Sequence, residues 1–464
     1  MGANINNLNN PLATDNVGKL IFKFATPSII SFLVSALYNI VDQIFIGQGV
    51  GMLGNAATNI AFPLNTICTA LALLLGIGGS SNFNLRMGQK KEEEAAYIVG
   101  NSIVSMVISG VTLSLLVIIF LKPLLLLFGS TEDIMPYALT YTRITTLGIP
   151  FLIFSTGCSN LIRSDGSPTY AMLSTLSGAI LNTILDPIFI FVFDLGMAGA
   201  AYATVIGQIL SSIIVARYLF NFKSVKLSKN NLKLRKKLVL AISTLGAAAC
   251  FNQLAMMVVQ ITMNNTLTYY GALSHYGSEI PLASVGVISK VNIVYLAFTL
   301  GISQGCQPIV GFNYGAENYD RVKKTYKTAA IAVTLISIVA FLCFQIFPRQ
   351  IISIFGQGDE NYFEFAQRYF RIFMFMTFVN GIQPLTSNFF TSIGKSQKGI
   401  ILSLTRQIMF LLPLVIILPK FLGIDGVMYA GPIADSIAFI TAGILIYKEM
   451  KCMNIRMSEI NSCN

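Results

Sequence analysis

Asp42, Asp186 and Asp435 each stand inside a long run of apolar residues, and Asn182 precedes Asp186 by four positions. Four residues is about one helical turn, so an amide and a carboxylate would share one helix face there. Pro187 then removes the N–H that would bond the carbonyl of Thr183, which favours a kink and frees a backbone acceptor beside the carboxylate. In the next apolar segment Thr204 and Gln208 share a face by the same spacing. Carboxylate, amide and hydroxyl oxygens can replace the hydration shell of a small cation, and two neighbouring carboxyls can share one proton. Either arrangement couples an ion to the protein; the plain alternative is hydrogen-bonded glue between helices.

Little else in the chain could do chemistry. There is one histidine, His275, with no partner in the sequence, and the seven cysteines show neither a C-x-x-C pair nor metal-ligand spacing. Five cysteines fall in apolar segments and read as reduced packing residues, with Cys452 and Cys463 in the tail. An enzyme working inside a membrane would need a nucleophile–base pair or a ligand cluster. The expectation is therefore a protein that is no enzyme, with no catalytic residues, no cofactor and no metal beyond a possible Na⁺ at the coupling site.

These residues must be positioned by membrane helices. The chain of 464 residues is 54% hydrophobic and 11% charged, against roughly 25% charged in ordinary soluble domains. Uncharged runs cover 43–85, 95–121, 238–274, 328–348 and 372–394, each long enough for the ~20 residues that cross a bilayer. This composition excludes a cytosolic enzyme, a secreted disulfide scaffold and a disordered chain.

Apolar stretches punctuated by glycine, proline and charge place helices near 20–46, 58–82, 95–121, 137–163, 168–193, 197–221, 239–271, 281–310, 325–347, 363–391, 398–419 and 426–447. The net charge of +11 follows this pattern: the N-terminal segment, the even-numbered loops and the tail hold 22 of the 31 basic residues, the odd loops only Lys122, Arg349 and Lys420. By the positive-inside rule both termini are cytoplasmic. The densest run, Lys223 to Lys237 with seven Lys/Arg, reads as an inside loop near anionic headgroups, not a nucleic-acid site. The polar first 20 residues lack a signal-peptide pattern, so the first apolar segment reads as a retained helix. Without tryptophan, an interfacial belt falls to tyrosine, with Tyr141, Tyr218, Tyr369 and Tyr447 suitably placed.

The second half repeats the first at an offset of about 225–228 residues: LGIGGSS (75–81) matches LGISQGC (300–306), LFGSTEDIMPYALTYTRI (127–144) matches IFGQGDENYFEFAQRYFRI (354–372), and DLGMAGAAYA (194–203) matches FLGIDGVMYA (421–430). Six helices separate each pair, so the halves share an orientation and relate by an axis along the membrane normal. The expected fold is an all-α polytopic membrane protein with two six-helix lobes about a cleft: residues 1–222, a basic linker 223–238, and 239–464 with its short tail. Gly76, Gly78, Gly79, Gly301 and Gly305 read as positions where helices pack closely, the alternative being hinges. Arg143 and Arg371 begin equivalent helices and read as snorkelling residues. Lys290 and Arg406 fall inside spans of the second half; with Asp435 they form a secondary ionisable site that is either structural or lines the cleft.

The stretch LNTILDPIFIFVFDLGMAGAAYAT (181–204), with its N-x-x-x-D-P and L-G-x-x-G-A-A-x-A-T, resembles the multidrug and toxic compound extrusion (MATE) family of the flippase-like superfamily. The likeness is closest to bacterial DinF-like and MepA-like members and extends from Phe24 to about Tyr447. In the DinF-like branch it implies a cation or proton site at Asp42, Asn182, Asp186 and Thr204. The NorM-like branch relies on acids of the second lobe, where this sequence offers Asp435 alone. The resemblance implies an antiporter of the cell (inner) membrane, exporting amphipathic, often cationic, drug-like small molecules in exchange for Na⁺ or H⁺ by alternating access of two lobes. Membrane lipid is the other expected partner, with no nucleic acid and a monomeric state. The rival reading is a flippase for lipid-linked oligosaccharides, which usually has a strongly basic cleft and often extra helices.

Overall fold

A computed structural model describes residues 10–354 and 359–463 of the chain. The Phe355-Gly356 part of one repeat match and the Cys463 side chain lie outside the described residues. The elements are helices: α1 (Val17–Gly49), α2 (Met52–Gly88), α3 (Glu92–Ile119), α4 (Met135–Ser164), α5 (Pro168–Pro187), α6 (Gly196–Leu219), α7 (Lys236–Ala272), α8 (Glu279–Gly315), α9 (Tyr319–Ile346), α10 in three pieces (Glu360–Phe373, Thr377–Asn380, Ile382–Ser392), α11 (Ser396–Leu422) and α12 (Asp425–Cys463). Eleven of the described helices are long and apolar enough to span a bilayer. This is a multi-pass membrane protein.

The remaining expected span, 363–391, is α10, and it is interrupted. Phe375 and Thr377 donate to carbonyls only three residues back, Ile372 and Met374, which tightens the backbone. Pro384 then lacks the N–H that would reach the Asn380 carbonyl, so no continuous ladder crosses this stretch. α5 is also irregular. It widens after Pro187 into a π-turn, Ile188–Val192, where Phe193 donates to the Ile188 carbonyl five residues back.

The helices group into two compact units, Ile30–Gln253 on one side and the residues up to Ile29 with Leu254–Asn464 on the other. The chain therefore changes unit inside α1 and inside α7. The basic segment 223–238 belongs with Ile30–Gln253. In that unit, Gly78 of α2 and Gly246 of α7 remove side chains where two helix backbones meet: a Cβ on Gly78 would overlap the Ile242 carbonyl, and one on Gly246 the Leu74 carbonyl. In the other unit a Cβ on Gly305 of α8 would lie 2.7 Å from the Ala25 backbone of α1. The repeat-related glycines thus serve close packing. Gly246→Ala should lower stability by about 1–3 kcal/mol, seen as a lower Tm in detergent. Gly443→Ala, inside α12 where a Cβ meets nothing within 4 Å, should hold or slightly raise Tm, because alanine is the better helix former.

Only one of the four proposed belt tyrosines is at the surface. Tyr447 is 71% exposed, whereas Tyr369 is buried among aromatic residues and Tyr218 is buried with its hydroxyl donating to Asp165 Oδ2 at 2.7 Å. Tyr141 turns inward. Placement near a helix end does not fix rotation about the helix axis, and these three rings face the protein. Arg143 and Arg371 are exposed as expected.

Candidate ion-coupling site

The site lies entirely within Ile30–Gln253. A turn with Asp194 and Gly196 at positive φ reverses the chain between α5 and α6. The two helices then pack at Gly178 and Gly207, where a Cβ on Gly207 would stand 2.7 Å from the Gly178 carbonyl oxygen. One turn along from this approach, Asn182 of α5 meets Thr204 of α6. Its Nδ2 donates to Thr204 Oγ1 at 3.4 Å and to Asp186 Oδ1 at 3.3 Å. Asp42 enters from α1, and its carboxyl lies within hydrogen-bonding reach of Asp186. All four side chains are buried, Asp186 completely.

The remaining atoms show what the cluster lacks. Asp42 Oδ1, Asn182 Oδ1, Asp186 Oδ2 and Gln208 Oε1 are buried without a hydrogen-bond partner. Each is an acceptor oxygen, and buried polar atoms left unpaired are costly. Among the described residues, neither aspartate pairs with a lysine, arginine or histidine. A group of hard oxygens short of donors suits a proton or a small cation as ligand.

A cavity of about 100 Å³ adjoins the cluster, several times the ~10–15 Å³ that one water needs. Asp42, Thr204 and Gln208 line it, while Asn182 and Asp186 are not on its wall. Tyr38 and Tyr141 also line it, and Tyr141 reaches Thr204. Tyr38 precedes Asp42 by four residues, so helical spacing alone places it on the same face; for Tyr141 the sequence carries no comparable signal.

The secondary residues separate into two groups. Arg406, on the π-turn of α11 (Thr405–Leu411) and itself partly exposed, forms an ion pair with the buried Asp435 of α12. Lys290 of α8 is half-buried and has no carboxylate partner among the described residues. Asp435 thus already has its counter-charge, unlike Asp42 and Asp186.

The family model described as MatE matches residues 27–188 and 248–417. The multidrug export protein MepA of Staphylococcus saprophyticus is 24% identical over 450 residues, covering 96% of this chain and 97% of the relative. The protein of the same name from Staphylococcus aureus is 24% identical over 449 residues, 96% of each chain. Among solved structures, an outward-facing multidrug resistance MATE family transporter superposes with a TM-score of 0.88 at 24% identity, covering 96% of this chain and 98% of its own. A MOP superfamily transporter from Pyrococcus furiosus, described as having a binding pocket of reverse polarity, gives 0.88 at 23% over the same shares. The fold and the matched segments agree throughout both halves: this chain belongs to the MatE family.

Proposed function

We propose that this protein is an efflux antiporter, with Asp42 and Asp186 binding a proton or Na⁺ and with Asn182 and Thr204 as neutral ligands. The observation that carries the reading is the set of four buried acceptor oxygens without donors, beside a cavity on whose wall Asp42 lies. Bound between the two carboxyls, a cation offsets charge that a low-dielectric interior penalises. Asp42 and Thr204, on the cavity wall, are the residues through which the ion exchanges with water; Asp186, behind them, is reached last.

The transported compounds are amphipathic, often cationic, small molecules, in keeping with the multidrug export named for the MepA relatives. Export would follow from opposed biases on one two-state equilibrium, the ion favouring one access state and the organic compound the other. The protein acts as a monomer in the cell (inner) membrane, with both termini cytoplasmic.

Purified protein in proteoliposomes, given an imposed Na⁺ or pH gradient and ethidium as the organic cation, should move the dye against its gradient. A response to one gradient alone identifies the ion. Dye movement indifferent to both gradients would overturn the reading.

A further inference from the structure

The connection between α6 and α7 is held in a fixed shape although it carries the densest positive charge in the chain. Phe222 and Val225 are buried in the core beneath it. The buried Asp165 carboxylate accepts from the Lys223 and Ser224 backbone N–H groups at 2.7 and 2.8 Å. Farther along, the fully buried Asn101 of α3 donates to the carbonyls of Asn231 and Lys233 and accepts from the Arg235 N–H at 2.7 Å. The connection contributes its own backbone and apolar groups to these contacts, so its lysine side chains are not needed to hold its shape.

All seven basic side chains from Lys223 to Lys237 are exposed. Among the described residues none of them pairs with a carboxylate, and Arg235 alone has a ring partner, Tyr97. The segment from Leu195 to Ser278 contains no acidic residue. At the same end of the fold, α3 opens with Glu92, Glu93 and Glu94, of which Glu94 is paired with Arg86 and Lys91. Between the cations, Leu232 and Leu234 are 41% and 49% exposed, outside any spanning helix. An ordered platform of unpaired cations with two apolar side chains, tied at both ends to spanning helices, matches a headgroup layer in charge and in polarity.

We propose that this connection is a docking surface for anionic phospholipid headgroups, with Lys226, Lys229, Lys233 and Lys236 receiving the phosphates and Leu232 and Leu234 entering the acyl boundary. It would select the lipid next to the protein, a property separate from the transported compound and its ion.

The test uses the full chain with its native cysteines replaced and Asn230→Cys, an exposed position, carrying an environment-sensitive fluorophore. The protein is placed in nanodiscs of phosphatidylcholine, with or without phosphatidylglycerol. Emission should shift to the blue only when phosphatidylglycerol is present. The lipid retained by the protein in native mass spectrometry should favour phosphatidylglycerol, falling about fivefold for each lysine replaced by glutamine. The quadruple variant K226Q/K229Q/K233Q/K236Q should lose both signals while melting like the parent in phosphatidylcholine. L232S/L234S should keep the lipid preference but lose the blue shift. Equal emission in the two lipids, a quadruple variant that retains the difference, or the same shift from inorganic phosphate in phosphatidylcholine discs would each overturn the proposal.

Discussion

Asp42→Asn and Asp186→Asn should each reduce gradient-driven export to the level of protein-free vesicles, while the folded protein still binds ethidium. Each substitution keeps the shape and removes the charge that would hold the ion. Tm should hold or rise, because a buried carboxylate without a counter-ion costs stability. Helix glue predicts the opposite pattern, lower Tm with retained coupling, so transport and melting measured together decide between them. Asn182→Ala is expected to be milder. By freeing the Asp186 oxygen that it now holds at 3.3 Å, it should weaken apparent ion affinity about 10–100-fold. Asp42 or Asp186 variants that kept full ion-coupled transport would move the search to Asp435.

The other large effect concerns stability. Arg406→Leu leaves the Asp435 carboxylate buried without its partner, a loss that costs about 3–5 kcal/mol, whereas Asp435→Leu leaves the partly exposed Arg406 and should cost less. The double variant R406L/D435L removes both charges and should recover most of that loss, a coupling that thermal unfolding of all four proteins in one detergent would measure. Single variants that melt like the parent would show that the pair contributes nothing to the fold. Ion-coupled transport should survive in the double variant, because the proposed site lies in Ile30–Gln253 and both of these residues lie outside it.

The sequence made some of this legible and hid the rest for physical reasons. Spans were visible because apolar length is a one-dimensional property: the expected 239–271 and 281–310 correspond to Lys236–Ala272 and Glu279–Gly315. The Asn182–Asp186 contact was visible because a spacing of four is local. Pro384 marked a break in the α10 ladder, but the tightening before it was not visible, since Phe373 to Phe378 is apolar apart from Thr377 whether its turns close over three residues or four. Nor could the sequence assign Asp435 its partner from Lys290 and Arg406, because the choice depends on how α8, α11 and α12 are rotated about their axes. The same missing rotation is why sequence position alone puts Tyr141 at the interface. Its neighbour Arg143 does face outward, and two residues along a helix turn a side chain by roughly 200°.

The glycine contact between α1 and α8 sets a schedule for biogenesis. The first turns of α1, up to Ile29, pack against Gly301 and Gly305, which leave the ribosome about 270 residues later, roughly 15–55 s at ordinary synthesis rates. Throughout that interval the Ala25–Ile29 stretch lacks its α8 neighbours, Gly301 and Gly305, although the rest of its own helix can already settle with α2 to α6. A nascent chain stalled before residue 300 should therefore leave the start of α1 open to crosslinking by the insertion machinery, and one stalled well beyond residue 321 should close it.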